Sequence, residues 1–423
     1  MRLTKLVSFL LILSITFSLP SCISAQRNER SETTNHLAIR AARVLDVTSG
    51  QLITDAVILV EGERITAVGS RLTIPQGTKI IDLGDSTILP GLIDAHTHIT
   101  YHFDETGHFG LSGDATPEVT LKYAAENARN TIEAGFTTIR NLGASEKVDL
   151  RLRDAINRGE IVGPRIIASG EPLMAYDLQG ASSQVERTAQ IRSFVRARVS
   201  EGVNVIKIFE GVDDRGSPVF SRPDIQVAVE EARRAGLKVA VHAHEAAAIK
   251  AAVEGGCDSI EHGTFLDDEA IKLMVKHHTA LVPTLYLPTH YLEHKSQFVF
   301  DNSTWEFFER LRSHNLENLQ RAKRAGVWII SGSDAVAGVH GHNAREIEWL
   351  VKAGLSPLEA IRAATIDAAK LLGMEDKIGE IKEGKLADII AVAGDPLRDI
   401  NSLEQVQFVM KNGQVVKAKA AAR

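Results

Sequence analysis

The chain has 423 residues, 44% of them hydrophobic, enough to bury one large core and a smaller one. A formal net charge of -6, with no dense Lys/Arg tract, argues against nucleic acid as a partner. Two cysteines exclude a disulfide framework: Cys257 is expected in the core, and Cys22 lies in a different setting.

Arg2 and Lys5 precede an apolar run from Leu6 to about Leu19, and small residues follow. The run is too short for a comfortable membrane span and reads as a cleaved secretory signal. Leu19-Pro-Ser-Cys22 has the form of a lipobox, which would lipidate Cys22; Ile23-Ser-Ala25 offers an ordinary signal-peptidase cut instead. Either ending removes residues 1–26 from the fold and predicts an exported protein: periplasmic, secreted or lipid-anchored. Arg27 to Asn35 is a short polar tether.

From His36 to about Thr87, β-branched runs alternate with glycine turns: Ala38 to Leu45, Ala56 to Glu61, Arg64 to Val68 and Lys79 to Leu83. Lys385 to Val392 and Val406 to Val416, with an Asn412-Gly413 turn, resume that character near the C-terminus. These runs predict a small antiparallel β-sandwich built from both chain ends, residues 36–87 and 378–419.

Between them a phrase recurs: an Ala/Glu-rich amphipathic helix, a glycine, then a short apolar run. It occurs before Phe136, Val203, Leu237, Cys257 and Val327. Glycine is the left-handed cap of a helix, and an unbroken apolar run after it is a parallel strand covered on both faces. With Ile88 to His98, Pro164 to Gly170 and Ala280 to Leu285 added, eight strands alternate with helices. An α/β fold results, a (β/α)8 TIM barrel over residues 88–377.

Catalytic groups of such a barrel come from the C-terminal ends of its strands, and the polar residues sit there. His96 and His98 end strand one, Lys207 strand four, His242 and His244 strand five, His262 strand six, and Asp334 strand eight. Histidines two apart on a strand share a face, and converging neutral imidazoles are good first-row metal ligands. Lys207, inside Val205-Ile-Lys-Ile-Phe209, has three readings: a salt bridge, a Schiff base, or a carbamate formed with CO2. The neighbouring histidines decide for the carbamate, an anionic ligand able to bridge two metals. His242 is the deeper ligand of its strand, and His244 is placed to polarise a substrate carbonyl or to support the ligands. Glu245 should point away. Asp334 either accepts and passes on a proton or caps a helix.

The set His96-Thr-His98, Lys207, His242, His262 and Asp334, in a barrel bracketed by a split β domain, resembles the amidohydrolase superfamily in its two-metal, carbamylated-lysine form. Leu89-Pro-Gly-Leu-Ile-Asp-Ala-His-Thr-His, Thr137-Thr-Ile-Arg-Asn-Leu-Gly143, His340-Gly-His-Asn343 and Ala353 to Thr365 are similar to its imidazolonepropionase-like branch, which includes Xaa-Pro dipeptidases. The resemblance implies two divalent ions, zinc by preference. His96, His98 and Asp334 would hold one, His242 and His262 the other, and the Lys207 carbamate and a hydroxide would bridge them. It implies cleavage of an amide C–N bond in a small-molecule substrate, a dipeptide or N-acyl amino acid. A cyclic-amide or lactone hydrolase, or a deaminase, is the alternative, and a homo-oligomer is left open.

Three positions depart from the branch. His244 stands where its dipeptidases often have tyrosine, Asn141 replaces a common aspartate, and Ser169 to Tyr176 lacks the usual Gly-Gly-His-Gly text. The carboxylate pocket is therefore sought elsewhere: Arg140 as a bidentate clamp or a structural arginine, with Tyr286, His340 and His342 lining the site.

Overall fold

The computed structural model describes residues 36–103, 106–108, 116–336 and 338–418. The expected signal sequence, Cys22 and the tether lie outside them.

The β-branched runs near both ends form β1 (His36–Leu45), β2 (Leu52–Glu61), β3 (Arg64–Ser70), β4 (Lys79–Asp82) and β5 (Ser86–Pro90). Their partners from the far end are β13 (Ile389–Ala393), β14 (Phe408–Lys411) and β15 (Gln414–Ala418). All eight are hydrogen-bonded as one sheet, in the order β15-β14-β13-β5-β1-β2-β3 with β4 beside β1, rather than as the two facing sheets of the expected sandwich. The sheet is also mixed. β1 is long enough to pair with β2 along one edge and, in parallel, with β4 and then β5 along the other. Ile39, Ile58, Ile88, Ile389 and Phe408 fill its core.

The strand expected unbroken from Ile88 to His98 is two strands, β5 and β6 (Leu92–Thr97), hinged at Gly91. A Cβ at Gly91 would lie 2.1 Å from Thr137 Oγ1, so only glycine fits there. β5 stays with the small sheet, pairing with β1 and β13, while β6 opens a parallel arc with β7 (Phe136–Asn141) and β8 (Arg165–Ala168). A second parallel arc holds β9 (Val205–Phe209), β10 (Lys238–Glu245), β11 (Ser259–Phe265) and β12 (Ala280–Val282). Helices α1 (Pro117–Glu133), α2 (Val148–Asn157), α3 (Gln184–Ser200), α4 (Arg222–Arg234), α5 (Ala246–Gly255) and α6 (Asp268–His277) connect the strands; α7 (Tyr286–Glu293), α8 (Asn302–Ala325) and α9 (Ala344–Lys352) follow. Ser183 and Ser221 begin α3 and α4 with reciprocal capping boxes to Glu186 and Asp224. Cys257 is a buried free thiol, as expected.

The arcs meet through isolated contacts rather than ladders. Leu173 bridges Ile208 in parallel at one junction. At the other, the expected eighth strand, residues 327–334, bridges Leu281 in parallel at Ile329, and Ala335 just beyond it bridges Thr97; backbone hydrogen bonds tie Trp328 and Ile330 to Leu281, and Ser331, Asp334 and Ala335 to Ala95, His96 and His98. Its irregularity has a local cause. The Asp94 carboxylate accepts from the backbone N–H of Ser333 at 2.9 Å and from the Ser333 hydroxyl, in place of a strand partner. No helix among the described residues is long and apolar enough to cross a membrane.

Candidate metal centre

β6 delivers His96 and, just past its end, His98. His96 Nε2 lies 3.4 Å from His98 Nε2 and 3.3 Å from Asp334 Oδ1, and His98 Nε2 is 3.2 Å from that same oxygen. Gly332 allows this closeness, because a Cβ there would sit 2.9 Å from the His96 backbone nitrogen. Burial would raise the Asp334 carboxyl, but the two imidazoles hold it well below the ordinary range.

Behind His96 stands Glu261, which the sequence reading passed over. Its Oε2 accepts from His96 Nδ1 at 2.8 Å, and its Oε1 accepts from Arg140 Nη2 at 2.8 Å and from the Ser259 hydroxyl at 2.5 Å. Burial alone would raise Glu261; the Arg140 guanidinium and His96 reverse that and hold it at about 2. An ionised Glu261 fixes the His96 proton on Nδ1 and leaves Nε2 as a free ligand atom.

Glu261 and His262 are consecutive, so a regular strand would point them to opposite faces. His262 instead has φ +74°, in the left-handed region, and its ring joins the cluster 5.0 Å from His96, centroid to centroid. Thr284, whose Oγ1 lies 2.7 Å from His262 Nδ1, has φ +49°, and Asp334 has φ +54°. Three neighbouring non-glycine residues in that region mark a site held by its surroundings against local strain.

β10 supplies His242, stacked on Phe209 at 3.9 Å, and His244, whose Nδ1 lies 3.0 Å from Thr264 Oγ1. Their rings stand 4.5 and 4.7 Å from that of His262. Burial brings His244 down to about 4 and pushes His242 and His262 well below the usual imidazole range, so all three are neutral and able to bind metal at neutral pH. Glu245 precedes α5 and does not line the cavity.

Lys207 is 1% exposed, and among the described residues its Nζ has no hydrogen-bond partner and no carboxylate in ion-pair contact. The salt-bridge reading is thereby excluded. Burial lowers its pKa to about 8.

The donor set fits divalent cations. Ligand atoms of His96, His262 and Asp334 lie within 4.8 Å of one another, and so do those of His242, His244 and His262. His262 belongs to both groups, and His244 is placed as well for coordination as for touching a carbonyl. Neutral imidazoles with one carboxylate suit zinc and its first-row neighbours, and the orphaned Nζ is the kind of buried atom that a missing group would complete.

The substrate contacts differ from expectation. Arg140 is not a carboxylate clamp: it is 1% exposed, with all three guanidinium nitrogens committed to Ala95 O, Ser259 Oγ and Glu261. Tyr286 turns its hydroxyl to His290 at 3.3 Å, His340 pairs with Thr131 Oγ1 at 3.0 Å, and His342 is exposed; none lines the cavity over the cluster. That cavity, about 270 Å³, is walled by Phe209, Tyr291, Phe300, Phe307, Phe308 and Leu311, with Lys207, the histidines and Asp334 as its floor. Apart from Phe209, which ends β9, the wall comes from α7, α8 and the segment between them, where aromatic spacing alone does not distinguish a cavity lining from core.

A cluster of imidazoles, a carboxylate and a buried amine at the strand ends of an α/β fold, open to a substrate-sized cavity, defines a hydrolase of the metal-assisted kind. The chain belongs to the amidohydrolase family, whose model matches residues 87–416, and it acts on carbon–nitrogen amide bonds. It is 30% identical to the ochratoxinase of Aspergillus niger over 416 residues, covering 87% of this chain and 84% of that protein. The imidazolonepropionase of Symbiobacterium thermophilum is 24% identical over 389 residues, 81% of this chain and 86% of that one. Among solved structures, an Xaa-Pro dipeptidase with methionine bound in its active site superposes with a TM-score of 0.80 at 32% identity, covering 90% of this chain and 99% of that one. Family membership implies the barrel-plus-β-domain architecture.

Proposed function

We propose that the chain hydrolyses a dipeptide or an N-acyl amino acid, using two zinc ions held by His96, His98, His242, His262, Asp334 and a carbamate on Lys207. The observation that carries this reading is Lys207 itself, a buried amine without a partner among the described residues, lining one cavity with His98, His242, His244 and His262. Burial disfavours its ammonium form, and an uncharged amine can add CO2, losing a proton to become an anionic oxygen donor. In this reading the two arcs and residues 327–334 form one (β/α)8 barrel over residues 88–377, flanked by the composite β domain of residues 36–87 and 378–419. The N-terminal apolar run supports export, with lipid at Cys22 or a cut after Ala25.

Divalent ions in such a site lower the pKa of a coordinated water towards ~7 and polarise a carbonyl. The chain's own residues do the remaining work. Asp334, kept ionised by His96 and His98, takes the proton of the attacking water and delivers it to the departing nitrogen. His244, with Nδ1 engaged by Thr264, has Nε2 free for the substrate carbonyl. The aromatic wall excludes bulk water from the reacting atoms. The similarity to an Xaa-Pro dipeptidase, named for an amide bond between two amino acids and holding methionine in its active site, supports the substrate class.

The test is metal analysis of the purified protein together with a library of dipeptides and N-acyl amino acids. Two equivalents of zinc and chelator-sensitive amide cleavage are expected. Turnover that survives chelation and is trapped by borohydride at Lys207 would replace this reading with a Schiff-base lyase.

A further inference from the structure

The cavity above the cluster has a composition of its own. Phe209, Tyr291, Phe300, Phe307, Phe308 and Leu311 make its wall apolar, and Phe209 is 41% exposed although it stands beside a fully buried strand core. Lys207, at the floor, is the only lysine or arginine among the described lining residues. Arg140, weighed as a clamp or as a structural arginine, is spent inside the core.

Asn315 projects from α8 into the same cavity. It is 7% exposed, and its Oδ1 is buried without a hydrogen-bond partner among the described residues. A buried amide oxygen left unpaired costs roughly 1–3 kcal/mol, a penalty removed when a ligand brings an N–H donor to it. The Oδ1 of Asn315 is an acceptor, so it pairs with the N–H of an amide and not with a carboxylate, which offers no donor. A cavity of ~150 Å³ is enough to hold a benzene ring, so about 270 Å³ has space for an aromatic side chain and the amide attached to it.

We propose that the site selects amides carrying a bulky aromatic group, recognised by the Phe wall and by the Asn315 side chain, and does not require a free carboxylate on the substrate. This deepens, and rests on, the amide-hydrolase reading above. It separates the enzyme from a strict carboxypeptidase or dipeptidase: capping the C-terminal carboxyl should leave the substrate competent.

The experiment uses the zinc-loaded protein and a matched panel: acetylglycine, acetylphenylalanine and 3-phenylpropanoylglycine, each as the free acid and as the N-methylamide, with release of the amino product measured. At least one phenyl-bearing pair should exceed the acetylglycine pair by tenfold or more in kcat/KM, with its capped member within threefold of the acid. Phe307→Ala should reduce the phenyl-to-acetylglycine ratio at least tenfold. Asn315→Leu should raise KM for the capped phenyl substrate more than it lowers kcat, and should weaken binding of 3-phenylpropanamide to the metal-free protein, measured by calorimetry. Acetylglycine cleaved as well as the phenyl substrates, or a capped member more than tenfold worse than its acid, overturns the proposal while leaving the amide-hydrolase reading intact. Cleavage of no panel member removes both.

Discussion

Glu261 Oε2 and His96 Nδ1 lie 2.8 Å apart in a region with no solvent access, and Arg140 closes the other side of the carboxylate. His96 is thus oriented by a charge that is itself neutralised from behind. Glu261→Gln keeps the shape but loses the charge, and metal affinity should fall roughly 10–100-fold, the usual effect of removing a partner of a ligating histidine. Competition with a chromogenic chelator measures it, and unchanged affinity would refute the role. Arg140→Met should also lower the melting temperature, because a buried carboxylate left without its cation costs ~3–5 kcal/mol.

Lys207 gives a second test. On the proposed carbamate, Lys207→Ala should lose more than 100-fold in kcat, since the bridging oxygens then have no substitute, and the metal stoichiometry measured by elemental analysis should fall. Propionate or butyrate, which can place a carboxylate in the vacated space, should restore part of the activity. A variant that keeps its metal and its rate would show that the amine is a packing residue.

The two roles proposed for Asp334, ligand and proton carrier, can be separated. Asp334→Asn retains an oxygen donor near His96 and His98 but cannot carry a proton, so metal content should stay nearly intact while turnover drops at least ~10²-fold. Wild-type turnover in the variant would contradict the proton-carrier role.

How much of this was legible in the sequence follows from the kind of signal each feature leaves. His96, His98, Lys207, His242, His262 and Asp334 were readable because ionisable groups at the ends of apolar runs have no packing explanation. Glu261 was missed: adjacent to His262 in a strand, it reads as facing away, and only the left-handed backbone of His262 brings both residues to the centre. The same blindness to backbone geometry hid Thr284. Arg140, Tyr286, His340 and His342 were chosen by chemistry and loop position, and neither property fixes the direction of a side chain. The β4 and β5 pairings escaped because a parallel return to β1 needs a crossover, which the turn residues after Ser70 do not announce.

Glu346, on α9, is the buried group whose titration should be visible in stability. Its carboxylate oxygens accept from the backbone N–H groups of Leu285 and Tyr286 at 2.9 Å each, anchoring the start of α7, which carries Tyr291 into the cavity wall. Burial raises its pKa from 4.5 to about 8, with the two N–H donors opposing. A carboxyl whose folded pKa lies above its unfolded value binds its proton more tightly in the folded state. Its contribution to stability is therefore complete below pH ~4.5 and is lost as the pH climbs through about 8. Melting temperatures of the metal-free protein between pH 5 and pH 9 should fall more steeply for the wild type than for Glu346→Gln, whose side chain has no proton to lose in that window. Parallel curves for the two proteins would mean that Glu346 is ionised in the fold at neutral pH, with the Leu285 and Tyr286 amides outweighing its burial.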